Sequence, residues 1–515
     1  MGYFINPIPW PIWLAAALAS CTGRTKGPGG SDSSVATGER LANIYCQTCH
    51  EFPAPGLLNR ASWLDGVLPA MGPRLGIFEH NGKKYPSYIN DPYVGRAFYP
   101  AKPLLSKAQW QAIIDYYAAS APDSLRQPQR PAVTDGTSIF APVMAAKGKG
   151  APAVTLTEID TAAHRREIVI GDMSPGWVRR FSPELQCFDS IRVYGAPVAW
   201  RDRGDSGLFC NIGEINPNNG MYGSLSAFSY GPGKRAKPDA VPFLRGLARP
   251  VDIVAADLNQ DGKTDYLVCE FGNLRGALSW TENLGKGQFV RHVLREQPGA
   301  IKAYVRDANG DGLPDIWVLF AQGDEGIFLY LNQGHGQFKE VRLLRFPPVY
   351  GSSYFELDDL NGDGHPDIVY TCGDNADFSP VLKPYHGIYV FLNDGSNHFT
   401  QRFFYHLDGC YKAIARDFDG DGRPDIAAIS FFADYARHPE DGFVYLENKG
   451  NWQFQPHTVP GAESGRWLTM DAGDIDGDGK PDLVLGNFSV APAPNKGNVD
   501  WKKGPPFLVL RNIRR

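Results

Sequence analysis

The sequence predicts a small all-α domain followed by an all-β propeller of about seven blades. Three features lead there. The nine-residue pattern D-x-[DN]-x-D-G-x-x-D recurs five times, its first aspartates 50, 52, 58 and 57 residues apart; self-similarity at that period marks a repeat architecture. Each copy lies between short apolar runs, such as 251–256 before the first loop and 483–485 after the last, as strands would. Ahead of the repeats, Trp110, Ile113, Ile114 and Tyr117 fall at i, i+3, i+4 and i+7, one apolar face of a helix.

The loops come first because their chemistry follows from spacing. Position 1 is Asp257, Asp307, Asp359, Asp417 and Asp474 in turn; position 3 is Asn259, Asn309, Asn361, Asp419 and Asp476. Position 5 is Asp261, Asp311, Asp363, Asp421 and Asp478, and position 9 is Asp265, Asp315, Asp367, Asp425 and Asp482. These side-chain oxygens can converge on one hard cation. Position 7 (Lys263, Leu313, His365, Arg423 and Lys480) can add a backbone carbonyl. The glycine at position 6 allows the bend that clustered oxygens need. An all-oxygen donor set selects Ca²⁺ over Zn²⁺, so about five structural calcium ions are expected. They would move the formal net charge from -5 to +5.

Beyond the loops, most repeats continue through a strand to an Asn-x-Gly turn and a Phe, as in 331–338 and 392–399. A unit of this size with several short strands is one propeller blade. These residues resemble the FG-GAP and VCBS-type repeats of integrin-α-like propellers, over roughly 152–515. That stretch has room for about seven blades. Segments 167–171 and 207–213 read as strands of two earlier blades that lack the aspartate cluster.

Cys46-Gln47-Thr48-Cys49-His50 precedes the repeats. C-x-x-C-H is the attachment sequence of c-type haem, in which the thiols form thioethers and the histidine ligates iron. One covalent haem c on Cys46, Cys49 and His50 is expected. A thioredoxin-like dithiol would need a βαβ setting, whereas 38–45 reads as a short helix running into the motif. Between Gly38 and Pro122 stand one methionine, Met71, and one further histidine, His80. Met71 sits in a Pro-flanked segment read as a loop, and His80 in a polar run read as an exposed turn. Met71 is favoured as sixth ligand over His80 or an open site, because thioether ligation suits electron transfer. The closing helix begins with a Ser106-x-x-Gln109 capping box and stops at Pro122. The segment 38–125 resembles class I cytochromes c, whose last helix packs across the first. Ala42 stands where that family usually has an aromatic residue, which puts the helix contact in question.

Residues 10–20 are apolar but too short to span a bilayer. They run into Leu18-Ala19-Ser20-Cys21, which resembles the lipobox of bacterial lipoproteins, although no Lys or Arg precedes it. The resemblance implies a signal peptide over 1–21, lipidation of Cys21, and a protein that is periplasmic or at the cell surface, anchored to a bacterial membrane. A flexible tether over 22–37 and a linker over 126–151 complete the domain plan. Of eight cysteines, five remain unassigned; Cys187 with Cys210 and Cys372 with Cys410 are candidate disulfides in an oxidising compartment.

With 51 basic and 56 acidic residues and no basic block, nucleic acid is not an expected partner. No Ser-His-Asp signature, zinc constellation or dinucleotide fingerprint is present. The whole resembles bacterial lipoproteins that join a c-type cytochrome domain to FG-GAP/VCBS repeats. It implies a membrane-anchored single-electron carrier whose propeller is a binding scaffold for a redox partner protein or a small molecule. The alternative is an oxidoreductase whose propeller oxidises a small substrate and passes electrons to the haem. Lys302, Tyr354 and Lys412 lie five residues before a loop's first Asp, and Arg249 and Arg466 eight before. If inner strands carry them, they can ring one mouth of the axial channel and attract an anion.

Overall fold

The computed structural model describes residues 31–136, 139–161, 166–174, 176–203, 206–229, 242–376, 379–493 and 495–514. The apolar leader and Cys21 lie outside the described residues. No helix among the described residues is long and apolar enough to cross a membrane.

Seven sheets follow one another along the chain, five of them wholly antiparallel with their strands paired in sequence order. Blade 1 spans 154–192, blade 2 197–247, blade 3 250–295, blade 4 300–345, blade 5 352–406 and blade 6 410–458. Blade 7 takes three strands from 467–512. Its outermost strand is Phe140–Met144, from ahead of blade 1, antiparallel to Phe507–Asn512. The protein is a seven-bladed propeller whose ring is closed by pairing its two ends.

Burial follows position in the blade. Second strands such as Asp265–Glu270 and Ile316–Phe320 are buried throughout. Their near-continuous apolar runs suit strands covered on both faces. Fourth strands such as Gln288–Arg295 are mostly exposed or half-exposed. Apolar clusters join neighbouring blades: Leu267, Cys269 and Trp280 of blade 3 pack on Ala303, Val318 and Phe328 of blade 4.

The linker expected over 126–151 is a correction. Gln127 donates to the Leu382 carbonyl at 3.1 Å, and Arg130 pairs with buried Asp441 at 2.7 Å. Thr134–Asp135 adds a parallel strand to blade 6, and Phe140–Met144 closes blade 7. Pro142 hid this strand in the sequence; proline is tolerated on a sheet's outer edge, where one N–H has no partner to lose.

The N-terminal segment is helical. Its first helix, Ser31–Tyr45, starts within the stretch read as a tether. It crosses Lys107–Ser120, which carries the expected capping box. Gly38 is required at the crossing: a Cβ there would come within 1.9 Å of the Ala112 carbonyl oxygen. Ala42 is fully buried beside it, so small residues make the contact that an aromatic would otherwise supply. Trp110, Ile113 and Tyr117 face the domain core with Leu41, Trp63 and Leu68.

This domain sits on the propeller face formed by the loops between second and third strands. Tyr385 of blade 5 donates to the Leu57 carbonyl at 3.0 Å, and Asn219 of blade 2 donates to Asp91 at 2.8 Å. Tyr93 and Tyr222 meet edge to face, their hydroxyls 3.1 Å apart. Val349, Val381 and Tyr385 join the helical domain's own core. The aspartate loops join first to second strands and lie at the opposite face.

Candidate functional site

The C-x-x-C-H segment follows directly from the first helix, and its cysteines are unpaired. Cys46 is half-buried, its thiol pushed up to about 11 by burial; Cys49 is exposed. The His50 Nδ1 lies 2.8 Å from the Glu51 carbonyl oxygen. Nδ1 therefore carries the hydrogen and donates it, which leaves the Nε2 lone pair free. Burial also lowers the pKa of His50, favouring the neutral ring that a metal needs. Phe52, Leu57, Leu64, Val67 and Leu75 pack on the domain core but stay partly open. Cys46 packs on the same cluster, and thiols with apolar side chains and a free imidazole nitrogen are the chemistry a porphyrin would need.

Met71 does not lie in a loop. It ends a helical turn, Leu68–Met71, and is followed by a 3-10 turn, Gly72–Leu75. His80 is buried rather than exposed, 6% accessible, and its Nε2 contacts Gln111 of the last helix at 2.8 Å. Cys187, Cys210, Cys269, Cys372 and Cys410 are all unbonded thiols; the two candidate disulfides are not formed. Cys187 is exposed on blade 1, whereas Cys210 is buried in blade 2.

All five aspartate loops share one construction. The position 1 carboxylate accepts the backbone N–H of Gly at position 6, as Asp307 does from Gly312 at 2.8 Å. Position 5 accepts from the N–H of position 7, as Asp363 does from His365 at 2.9 Å. Position 9 is buried: Asp265, Asp315, Asp367 and Asp425 are fully inaccessible and Asp482 nearly so. Its carboxylate joins the loop to the start of the third-to-fourth strand turn, as Asp315 accepts from Asn332 N at 2.7 Å and Ala308 N at 2.8 Å. Asn332 also donates to the Leu258 carbonyl of the preceding blade at 2.9 Å. Loops thus tie blades together as well as strands.

Asp417, Asp419 and Asp425, and likewise Asp474, Asp476 and Asp478, bring three carboxylate oxygens within 4.8 Å of one another. In the other loops Asn259, Asn309 and Asn361 put an amide oxygen at position 3. Lys263 and Lys480 fold back onto Asp261 at 2.6 Å and Asp478 at 2.9 Å, and Arg423 onto Asp421. These cations meet one oxygen of the position 5 carboxylate, while its other oxygen accepts the position 7 N–H. The donor chemistry fits a hard divalent cation.

A third feature lies on the propeller axis: a cavity of ≈ 1030 Å³. Lys302, Tyr354, Lys412, Arg249 and Arg466 all line it, so the structure brings together every residue the loop spacing singled out. A β-bulge early in each first strand sets the register. The residue after it is Leu156, Ala199, Asp252, Lys302, Tyr354, Lys412 and Thr469 around the ring, and all seven face the cavity. Two residues further along blades 1 and 2, on the same strand face, stand Glu158 and Arg201.

Carboxylates were missed by the sequence reading, and the ring is not purely cationic. Asp252 accepts from Arg201 at 2.7 Å and pairs with Lys302 at 3.1 Å. Asp252 and Thr469 stand at the same five-before position as Lys302, so loop register could have found them. Blades 1 and 2 lack an aspartate loop and gave no register for Glu158 or Arg201. The cavity is also lined by the second-to-third strand loops, through Asn216, Asn273 and Gln322, so it opens toward the face that carries the helical domain.

A family model described as "FG-GAP-like repeat" matches residues 257–318, 307–370 and 417–485. The propeller carries FG-GAP-like repeats. The matched stretches hold all five aspartate loops, and blades 1 and 2 lie outside them. Among solved structures, the chain is similar to one titled "Crystal structure of BBS1N in complex with ARL6DN, soaked with mercury". The likeness is 11% identity over 73% of this chain and 98% of that one, with a TM-score of 0.43.

Proposed function

We propose that the protein is a c-type haem protein that transfers single electrons, exported and lipid-anchored through Cys21, with a calcium-stabilised propeller as its binding scaffold. The observation that carries this reading is the free Nε2 of His50, fixed by the Glu51 carbonyl beside two unpaired cysteines. Cys46 and Cys49 would hold the haem, His50 would ligate its iron, and Met71 would supply the sixth ligand. When bound, the haem supplies one-electron redox chemistry. The chain's own residues position it. Glu51, adjacent to His50, pairs with Arg345 of blade 4 at 3.2 Å, and Arg345 is held in turn by Asp324 at 3.1 Å. That contact fixes the motif's end of the helical domain to the propeller.

Calcium belongs to the same proposal. The five loops would each take one Ca²⁺ through positions 1, 3, 5, 7 and 9, which relieves the repulsion of clustered carboxylates and makes binding energy into folding energy.

Expression with export and haem-attachment machinery should give a protein that keeps its haem after denaturation, read as a haem-stained band of full length. Cys46→Ser with Cys49→Ser should lose that band. A wild-type protein that releases all its haem on denaturation would overturn the proposal. Met71→Ala should abolish the sulfur-to-iron charge-transfer absorption; its persistence would reassign the sixth ligand.

The axial cavity favours a second reading, small-molecule oxidation in the propeller with electrons passing to the haem. Reduction of the haem bands by an added sugar, alcohol or hydroxy acid, with no partner protein present, would support it. Unchanged bands across that panel would leave the carrier reading in place.

A further inference from the structure

The axial cavity is lined by five cations, Arg201, Arg249, Lys302, Lys412 and Arg466, and three of them lack a carboxylate partner among the described residues. Arg249 donates to the carbonyl oxygens of Gly272 at 2.5 Å and Ile215 at 2.9 Å. Arg466 donates to the Phe431 and Ala491 carbonyls, both at 2.9 Å. Both guanidiniums are oriented by neutral acceptors, so their charge is left for the cavity. Lys412 is the sharper case. Its ammonium sits 4.6 Å from the Tyr354 ring centroid, and no carboxylate lies within ion-pair distance among the described residues. Arg201 and Lys302 share Asp252. Four carboxylates, Glu158, Asp252, Glu325 and Asp374, line the same cavity, so the formal excess is one positive charge and lies with the cations that have no ion pair.

Hydroxyl-type groups are also left open. Thr157 is 6% exposed, lines the cavity, and its Oγ1 has no partner. Thr469 Oγ1 is likewise unmatched. Thr469 Oγ1 and the Thr157 methyl both lie against Gly486, where blade 7 meets blade 1. At the mouth, Asn273 Nδ2 and Gln322 Oε1 are buried and unpartnered. A buried polar group costs free energy until something satisfies it, and all four side chains line the cavity.

We propose that the axial cavity binds a small polyhydroxylated carboxylate, of the size of a sugar acid, with its carboxylate on Lys412 and its hydroxyls on Thr157 and Thr469. The volume suits a ligand of that size. Phe432, which is partly buried, lines the cavity and can meet the carbon skeleton. The proposal deepens the scaffold reading by naming what the propeller holds, and it requires no haem.

The test is isothermal titration calorimetry on the full chain with gluconate and with glucuronate, using glucose and sodium chloride as controls. One molecule of at least one acid per chain should bind. Glucose should bind at least about tenfold more weakly, because it lacks the charge that Lys412 meets. Lys412→Met should weaken the acid at least about tenfold while the chain still melts in one cooperative transition, so that lost binding is not lost folding. Thr157→Val, which deletes only the unpartnered hydroxyl, should weaken binding without loss of Tm. No heat from either acid, equal affinity for glucose, or undiminished binding by Lys412→Met would each overturn the proposal. The readout is heat of binding, so failure of haem attachment and failure of this site are distinguishable.

Discussion

Glu158 shows how one residue senses the whole cavity. Burial, then the charge of Asp471, lifts its carboxyl to about 7; Arg201, Lys412 and Lys302 pull the other way. The folded chain therefore binds this proton more tightly than the unfolded chain does. The resulting stability is fully present below pH 4.5, the ordinary value, and is lost as the pH rises through 7. Glu158→Gln removes the titration. The Tm of the wild type relative to Glu158→Gln should fall between about pH 5 and pH 8, by differential scanning calorimetry. A constant difference across that window would show that Glu158 titrates normally. In blade 1 the buried charge is arranged differently: Arg180 is fully buried and meets both Glu167 oxygens at 2.7 Å and Asp189 at 3.1 Å. Neither cluster was visible in the sequence, because each is assembled from strands that are adjacent only in the fold.

At the scale of the element, the aspartate loop does two jobs. Position 9 is buried and holds the backbone of its own loop and of the third-to-fourth strand turn. Positions 1, 3 and 5 remain exposed or half-buried and face outward as donors. On the calcium proposal, chelation removes the ion from all five positions, and only the backbone hydrogen bonds that position 9 accepts remain. A site at a hundredfold excess over Kd stabilises by about 2.7 kcal/mol. Several such sites should lower Tm by about 10 °C or more when excess chelator is added, and added Ca²⁺ should restore it. An unchanged Tm would mean that backbone hydrogen bonds hold the loops without metal.

For the whole molecule, the ring closes by a strand from ahead of blade 1. Phe140, 4% exposed, packs edge to face on Phe418 and Tyr445, each 5.5 Å away. It therefore links blade 7 to blade 6. Phe140→Ala should cost about 3–5 kcal/mol of unfolding free energy by denaturant titration; a loss below about 1 kcal/mol would mean that closure contributes little. The sequence by itself determined the repeat, its period and its metal-type donors, because these are local and recur in register. It also determined the capped helix and the C-x-x-C-H motif, where chemistry needs only neighbouring residues. The tertiary structure decided that there are seven blades, since blades 1 and 2 lack the loop that marks the others. It decided that 140–144 belongs to the propeller, because a Pro-containing outer strand carries no pattern of its own. It placed the aspartate loops on one face and the helical domain on the other, beside the cavity mouth. Above all it built the cavity, whose lining is drawn from all seven blades, because a bulge repeated in every inner strand turns residues far apart in sequence toward one axis.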